Sequence, residues 1–564
     1  MGNAIAKRSA GFQTGKALTA PAGSETCPPT AVLLRRMGDT ADSDVCATIR
    51  RFLAISILVP FLLISFTAAA QPSAILQPAA FSHHVERFNA MEDENVTNLI
   101  SNAESSQWLQ ANIPFFECPD REVEEIYYFR WWSFRKHLKQ TPKGFVFTEF
   151  LTPVSHAGEF NTISCAASFH VAESRWLADQ RFVENYIHFW MRGNDGKPAP
   201  HFHRFSSWFA ETVYERFLAD GDRQFLIDLL PDLVGDYRAW EQERQLTNGM
   251  FWQFDVRDGM EESISGGRRV QNVRPTINSY MAANARAISR IAQLANEPRI
   301  ATEFESKSER LRAQILETLW NPDSEFFEVR RPDGNLAEVR EAIGFIPWMF
   351  NLVPPEARFS AAWRQLMDVQ GFRAPAGITT AERRHPEFRS HGIWTCEWDG
   401  AVWPFATSQT LYALANFLRS EAAAATKLST AIYFDQFVTY VRSQYANGKP
   451  FIGEYHDEVT GGWINGRNGR SRYYNHSTFA DLLITGLAGI RPRADNIVEV
   501  HPLLPEGTWD WFCLDRVPYH GSVLTIVWDK DGSRYGRGPG LRILANGTEI
   551  ARGSALQPLT GRLP

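Results

Sequence analysis

The chain has 564 residues, a formal net charge of −6 and 44% hydrophobic residues. This length can bury a large core and build more than one domain, and the mildly acidic balance excludes an electrostatic case for a nucleic-acid partner. Aromatic residues make up 13% of the chain, with 18 Trp. Trp faces stack on sugar rings but also fill helical cores, so composition alone does not decide between these uses.

Residues 1–70 are predicted to be a leader that ends in a secretory signal peptide. Arg50 and Arg51 precede the apolar run FLAISILVPFLLISF, and the small residues Ala68 and Ala70 follow it. This order of basic flank, apolar run and small-residue site is typical of a signal peptide, and the run is short for a membrane span. We therefore predict cleavage after Ala70, a periplasmic or secreted protein, and no stable membrane insertion after cleavage. A single membrane anchor is the alternative.

Residues 71–120 predict a loosely structured N-terminal segment, and residues 121–490 predict paired helices. Apolar residues recur at helical spacing in runs such as 165–191, 276–297 and 303–320, and short turns alternate with longer loops. Because roughly a dozen helices in hairpins close best as a ring, we predict a mainly α fold, an α/α toroid. A bundle and a superhelical solenoid are the alternatives, and the solenoid is disfavoured because no fixed repeat period is visible.

The pattern of hydrophobic residues changes over residues 491–564. Val, Ile and Leu alternate with polar residues there, and N-G and D-G pairs mark turns. These patterns predict a small C-terminal β-domain, a β-sandwich packed on the helical body. Beyond the leader the chain has four cysteines, whose spacing fits neither a C-x-x-C pair nor a metal site and does not decide any disulfide pairing: Cys118, Cys165, Cys396 and Cys513.

Three segments between helical runs, 251–267, 396–410 and 451–463, collect acids beside aromatic residues. In a toroid the longer loops gather at one mouth, so chemistry is expected there. Hydrolysis of a glycosidic bond needs one carboxylic acid to protonate the leaving oxygen and a second carboxylate to activate water or attack the sugar. These segments therefore predict a sugar site with Trp walls and paired acids.

Four short motifs, in the same order along the chain, resemble signatures of the six-hairpin glycosidases. This group includes trehalases, processing α-glucosidases and mannosylglycerate hydrolase-like enzymes of glycoside hydrolase families 37 and 63. The motifs are YFRWW from Tyr128, DGMEES from Asp258, EWDGAVWP from Glu397 and GEYHDEVTG from Gly453. The resemblance implies an (α/α)6 toroid that hydrolyses glycosidic bonds of a carbohydrate substrate without a cofactor. The expected substrate is an α-linked oligosaccharide, or one released from plant or microbial polysaccharide.

Carried over onto these motifs, the resemblance implies that Glu261 is the general acid and Glu454 the general base. The related enzymes usually have Asp at the position of Glu261, so Asp258 and Glu262 remain alternatives for the acid. Without the resemblance, Asp258 and Glu262 could cap the next helix, and Glu454 could be a solvated turn acid. The related enzymes invert the anomeric configuration, which implies carboxyl groups about 6.5–9.5 Å apart.

The predicted substrate-binding residues surround these acids in the motifs and at the predicted helix start HRFSSWF, residues 203–209, whose preceding loop should face the mouth. Taken one by one, each Trp is as compatible with the core as with a sugar subsite, and each Arg with a structural ion pair. The H-x-H pair at 201–203 lacks a third ligand at a recognisable spacing, so no metal is predicted. The set is Arg130, Trp131, His203, Asp258, Trp398, Asp399, Trp403 and His476.

Two rival functions remain open from the sequence. A polysaccharide lyase on a similar toroid would use a Tyr or His base and an Arg, and the third segment and its sequel supply Tyr455, His456, His476 and Arg472. A non-catalytic glycan-binding protein would keep the fold and lose the acid, and Glu at position 261 in place of the usual Asp keeps this reading open.

Overall fold

The computed structural model describes residues 74–392, 396–464 and 469–564. The predicted signal peptide and its cleavage after Ala70 lie outside these residues. Within the three described ranges, no helix combines the length and the apolar character that crossing a bilayer requires.

The α-helices, in chain order, are α1 (Ser82–Asn89), α2 (Asn102–Asn112), α3 (Arg121–Lys136), α4 (Ala167–Ser174), α5 (Arg181–Arg192), α6 (Phe209–Asp220), α7 (Arg223–Asp228), α8 (Leu230–Arg244), α9 (Pro275–Leu294), α10 (Pro298–Thr318), α11 (Ile346–Met349), α12 (Ala357–Ser360), α13 (Arg364–Met367), α14 (Pro404–Leu418), α15 (Glu421–Ala424) and α16 (Thr430–Ser443). A π-helical turn, Leu482–Leu487, follows them.

The chain alternates between an outer and an inner helical layer, and the inner elements form a ring. Each inner element contacts the next in chain order as far as the π-helical turn. Every residue of α4 is buried, whereas α10 buries one apolar stripe and exposes its other faces. The inner ring consists of α4, α6, α9, α11, α14 and the π-helical turn. This arrangement is the predicted α/α toroid.

Polar side chains join the last inner element to the first. The Glu173 carboxylate, on α4, accepts hydrogen bonds from the backbone N–H groups of Phe479, Ala480 and Asp481, the last at 3.0 Å. The Arg175 guanidinium pairs with the Asp481 carboxylate at 2.6 Å, and both side chains are buried. A carboxylate at a helix start satisfies N–H groups that have no partner within the helix. Glu173 and Arg175 therefore fasten the two ends of the inner ring.

The predicted helix over 165–191 is interrupted between α4 and α5, although the run contains neither Pro nor Gly. The interruption lies where Arg175 and Trp176 turn toward Asp481, since the Trp176 indole N–H donates to that carboxylate at 2.6 Å. Asp179 then accepts a hydrogen bond from the Arg181 backbone N–H at 3.1 Å, where α5 starts. Buried tertiary partners override the local helical preference here.

The strands are β1 (Phe115–Glu117), β2 (Leu138–Thr141), β3 (Gly144–Phe147), β4 (Trp252–Gln253), β5 (Asn272–Val273), β6 (Trp320–Asn321), β7 (Phe326–Phe327), β8 (Arg373–Ala374), β9 (Gly377–Ile378), β10 (Tyr445–Ala446), β11 (Lys449–Pro450), β12 (Ile490–Arg491), β13 (Ile497–Val500), β14 (Trp511–Tyr519), β15 (Ser522–Asp529), β16 (Gly540–Ala545), β17 (Thr548–Gly553) and β18 (Leu559–Arg562). Strands β2 to β11 form two-stranded hairpins.

The C-terminal region contains two antiparallel sheets. A five-stranded sheet has the order β1-β14-β15-β16-β17, and a three-stranded sheet has the order β12-β13-β18. Strand β1 comes from the segment that we predicted to be loosely structured, and Phe115 lies opposite Asp515 in the register. The N-terminal segment therefore completes an edge of the C-terminal sheet.

Candidate active site

The loops that lead from outer to inner helices meet at one cavity of about 330 Å³. They deliver side chains at the amino-terminal ends of the inner elements α4, α6, α9, α14 and the π-helical turn. The size and the mixture of aromatic and ionisable groups fit a site for a small ligand. Of the predicted site residues, those that line this cavity are Glu261, Glu454, Trp398, Trp403 and His476.

Trp398 and Trp403 form a flat aromatic wall of the cavity. Their rings stack with centroids 4.4 Å apart, and the Trp403 ring stacks in turn on Tyr455 at 4.6 Å. The Trp403 indole N–H donates to the Glu397 carbonyl at 3.1 Å. Pro404 follows as the first residue of α14, where proline is tolerated because that N–H has no helical partner. The wall is thus rigid and of the kind on which sugar rings stack.

Glu261 lies in the loop between α8 and α9, just after a turn at Gly259. Gly259 has φ = +73°, in the left-handed region that favours glycine. Burial, with a further contribution from the negative charge of Glu454, raises the pKa of Glu261 to about 7. A carboxyl group that keeps its proton near neutral pH can act as a proton donor.

Glu454 lies in the loop after α16, and only 5% of its surface is exposed. Its carboxylate accepts a hydrogen bond from the Ser471 hydroxyl at 3.0 Å and one from the Arg470 guanidinium at 3.4 Å. Both partners are donors, and the guanidinium brings the positive charge that suits a carboxylate. The cavity therefore combines a carboxyl group whose pKa is raised by burial with a second carboxyl group that is held by hydrogen-bond donors.

The two acids that flank Glu261 in the sequence have other partners. The Asp258 carboxylate pairs with the Arg274 guanidinium at 2.6 Å, both side chains are fully buried, and the Thr276 hydroxyl also donates to it. Glu262 forms an ion pair with Arg268. Asp258 thus ties the loop to the start of α9, and neither flanking acid is among the residues that line the cavity.

Arg130 and Trp131 lie on the outer helix α3 and are buried there. The Arg130 guanidinium donates to the Ser477 carbonyl at 2.7 Å, to the Tyr440 hydroxyl at 3.0 Å and to the Gln444 side chain at 3.1 Å. The structure therefore places Arg130 in a hydrogen-bond network between α3, α16 and the segment before the π-helical turn. Neither Arg130 nor Trp131 is among the described residues that line the cavity.

His203 and Asp399 also lie outside the described lining of the cavity. His203 bonds through its two ring nitrogens to Asp236 at 2.7 Å and Glu243 at 2.9 Å, both on the outer helix α8. The Asp399 carboxylate accepts hydrogen bonds from the backbone N–H of His391 at 3.0 Å and from its ring at 2.9 Å. Asp399 therefore holds the loop that precedes the Trp wall.

Several cavity residues were not predicted from the sequence. Glu149 lies between β3 and α4 as a single acid in the apolar run FVFTEFL, and no local pattern marks it. Arg204, Arg257 and Arg470 also line the cavity, together with the thiols Cys165 and Cys396. These residues come from five separate loops, so only the fold brings them together.

The described cysteines are all free thiols, and none of them belongs to a group with metal-ligand spacing. Among the described residues such spacing is found for His83, His84 and Glu124, on α1 and α3. The His84 ring already bonds to Glu124 at 3.0 Å and stacks on Tyr128.

Comparison with known proteins identifies the family. The family described as "Mannosylglycerate hydrolase MGH1-like glycoside hydrolase domain" matches residues 159–477, more than half of the chain. The family described as "Glycosyl hydrolase family 65, C-terminal domain" matches residues 490–552, the region of the C-terminal sheets. Both matches agree with the division between the helical ring and the C-terminal β-region.

Three similar proteins cover parts of the chain. A solved structure named "Sialidase" is 52% identical, with a TM-score of 0.84, and covers 86% of this chain and 45% of that chain. The GH78 family rhamnosidase of Bacillus sp. GL1 is 12% identical, with a TM-score of 0.53, covers 77% of this chain and 41% of that chain, and supports the fold alone. A protein of Borreliella burgdorferi named "Uncharacterized protein" is 23% identical over 185 residues, which are 33% of this chain and 38% of that protein.

This chain thus spans less than half the length of each of these three proteins. The predicted toroid with a C-terminal β-domain and the predicted resemblance to the six-hairpin glycosidases are confirmed. The predicted enzyme class is confirmed at the level of the family. The chain belongs to the mannosylglycerate hydrolase MGH1-like glycoside hydrolase family.

Proposed function

We propose that this protein hydrolyses a glycosidic bond of an oligosaccharide by inversion, with Glu261 as the general acid and Glu454 as the general base. The observation that carries the proposal is that two carboxyl groups from different hairpins line one cavity beside a stacked Trp wall. Inverting hydrolysis needs this pair and a site for the sugar.

In the proposed mechanism a sugar ring stacks against Trp398, because the Trp403 ring is already stacked between Trp398 and Tyr455. The neutral Glu261 protonates the leaving oxygen, and the Glu454 carboxylate takes a proton from water, which attacks the opposite face of the sugar. The Trp398 indole N–H is buried and has no acceptor among the described residues, so it can donate to a sugar hydroxyl. No cofactor or metal takes part in this scheme.

The expected substrate is an α-linked oligosaccharide, or one released from plant or microbial polysaccharide, and export follows from the predicted signal peptide. Arg204, Arg257 and Arg470 make part of the cavity positively charged, and burial with the neighbouring Arg204 and Arg244 lowers the pKa of Arg257. A substrate that carries an acidic group would meet favourable charge there.

The test is a screen of the protein from Gln71 onward against mixed plant and microbial oligosaccharides. Wild type, Glu261→Gln and Glu454→Gln are compared by the reducing sugar released and by the anomer first formed, read by nuclear magnetic resonance. Release by wild type alone, with inversion of the anomer, is expected. Activity that survives both substitutions would refute the assignment. A product that retains the anomeric configuration would show that Glu454 acts as a nucleophile and not as a base.

Three of the four residues considered for a lyase, Tyr455, His456 and Arg472, are not among the described residues that line this cavity. Tyr455 is fully buried beneath Trp403, and burial together with the nearby Glu397 raises its pKa well above the usual range. His456 is fully buried, which lowers its pKa to about 4. Of the residues considered for a lyase, His476 is the one that lines the cavity. A product that absorbs in the ultraviolet would nevertheless establish the lyase.

A further inference from the structure

Glu149 is a third carboxyl group in the cavity that contains Glu261 and Glu454, and it belongs to none of the motifs that suggested the function. It lies in the loop between β3 and α4 and is 2% exposed. Its backbone is fixed as well, because the Asn475 backbone N–H donates to the Glu149 carbonyl at 3.0 Å. The side chain is therefore held where a ligand would bind.

Two neighbours donate hydrogen bonds to Glu149. The Tyr474 hydroxyl donates to one carboxyl oxygen, and the Cys165 thiol donates to the other at 3.4 Å. Burial raises the pKa of both donors well above their usual ranges, so they keep their protons. Because both neighbours donate to Glu149, the O–H of a protonated Glu149 is left to donate its hydrogen bond into the cavity.

Glu149 has no directly paired cation, whether Lys, Arg or His, in the part of the chain that the structure describes. An unpaired buried carboxylate is costly, so the neutral acid is the favoured form. Burial, with added repulsion from Glu454 and Glu261, raises the pKa of Glu149 to about 8.

We propose that Glu149 is a substrate-binding residue of the proposed hydrolase, an uncharged carboxylic acid whose O–H donates a hydrogen bond to a hydroxyl of the bound sugar. The inference rests on the proposed function for its ligand, and on the contacts of Glu149 for its charge. An uncharged group at this position also leaves Glu454 as the negative charge that activates water. The role differs from that of Glu261, which gives its proton away.

The first test uses the protein alone and needs no substrate. Infrared spectra of Glu261→Gln are compared with those of Glu261→Gln/Glu149→Gln at neutral pH, so that Glu261 does not contribute and other buried acids cancel. The first spectrum is expected to contain one more carbonyl band of a protonated carboxyl group than the second, so the difference between them should show that band. Identical spectra in this region would show that Glu149 is ionised and would overturn the proposal.

The second test measures turnover of the same oligosaccharide pool by Glu149→Gln and Glu149→Leu. Glutamine can donate a hydrogen bond without carrying a charge, so we expect it to stay within about threefold of wild type. Leucine cannot donate, and KM is expected to rise about tenfold or more with a smaller change in kcat. Glu159→Gln, an exposed acid in the same loop, is the control and is expected to behave as wild type.

The outcomes separate the two proposals. Equal losses in the glutamine and leucine variants, with melting temperatures unchanged, would mean that the charge of Glu149 is needed and would overturn the inference. Full activity of the leucine variant would overturn it too. If wild type releases no sugar from the pool, the proposed function fails, whereas the infrared comparison still decides whether Glu149 is the uncharged acid.

Discussion

At Glu261, burial and the charge of Glu454 act in the same direction, because both favour the protonated carboxyl group. The neighbouring Asp258 has other partners, a buried guanidinium and a hydroxyl. Three acids within five positions are thus separated by their contacts into a cavity acid, a structural ion pair and a surface ion pair. The sequence left all three open as the proton donor.

We expect Glu261→Gln to lower kcat by about 10²- to 10⁴-fold, the usual contribution of general acid catalysis. The glutamine side chain has nearly the same shape and cannot release a proton. Glu262→Gln is the matched control, because it changes the adjacent acid that pairs with Arg268, and it should keep nearly full activity. The measurement is steady-state kinetics on an oligosaccharide found in the screen. Equal losses in both variants would contradict the assignment.

The pH dependence follows from the raised pKa of Glu261. The acid must carry its proton to act, so activity is expected to be high below a pH of about 7 and to fall as the pH rises through that value. A profile of kcat/KM from about pH 5 to about pH 9 tests this. A rate that stays constant through the upper half of that range would show that Glu261 is not the group that must be protonated.

At the scale of the elements, the inner ring depends on a few polar contacts between α4 and the segment at the π-helical turn. Replacing Asp481 by Asn removes the nearer of the two carboxylates that pair with the buried Arg175, at 2.6 Å, and leaves Glu215 at 3.5 Å. Removing one partner of a buried ion pair typically costs about 3–5 kcal/mol, so the free energy of unfolding is expected to drop by about that amount in urea titrations. Arg181→Ala, which removes an exposed ion pair with Asp179, should leave the unfolding midpoint unchanged. Equal midpoints for all three proteins would argue against this role for Asp481.

The helices that the sequence predicted well are those whose pattern is local. Helices α9 and α10 follow the predicted runs 276–297 and 303–320, since their apolar stripes repeat with the helical period. The run 165–191 was less predictable, because the interruption depends on Asp481, which lies 306 positions after Arg175. A pattern within one segment carries no information about a partner so distant.

The same limit applies to the candidate site. The acid and Trp motifs gave Glu261, Glu454, Trp398 and Trp403, and the structure brings these four to one cavity. Their roles stay predictions. Glu149 could not be predicted, because its importance comes from burial and from contacts with Cys165 and Tyr474, which lie 16 and 325 positions further along the chain.

At the scale of the whole molecule, the helical ring and the C-terminal sheets share a continuous apolar core. Phe116 on β1 packs against Tyr127 of α3 on one side and against Phe512 of β14 on the other. The His520 ring, after β14, bonds to the Leu218 carbonyl of α6 at 3.0 Å. The C-terminal β-region was predicted from its alternation, but the contribution of β1 was not, because three residues are too few for a strand pattern.

We expect the ring and the C-terminal sheets to unfold together, since their shared core couples them. Calorimetry of the protein from Gln71 onward should give one transition, with the calorimetric and van't Hoff enthalpies in agreement. Phe116→Ala, which opens a cavity between the two parts, should lower the melting temperature and leave a single transition. Two separate transitions in the wild type would show that the parts are independent.

The pairing of β1 with β14 has a consequence for how the chain is made. Phe115 on β1 pairs with Asp515 on β14. During synthesis from the N-terminus, β1 therefore stays without its partner strand until most of the polypeptide has emerged. Such distant pairing slows folding and leaves an unsatisfied strand edge in the meantime. Any product that stops before β14 therefore keeps that edge open, which favours its aggregation or its removal by chaperones and proteases.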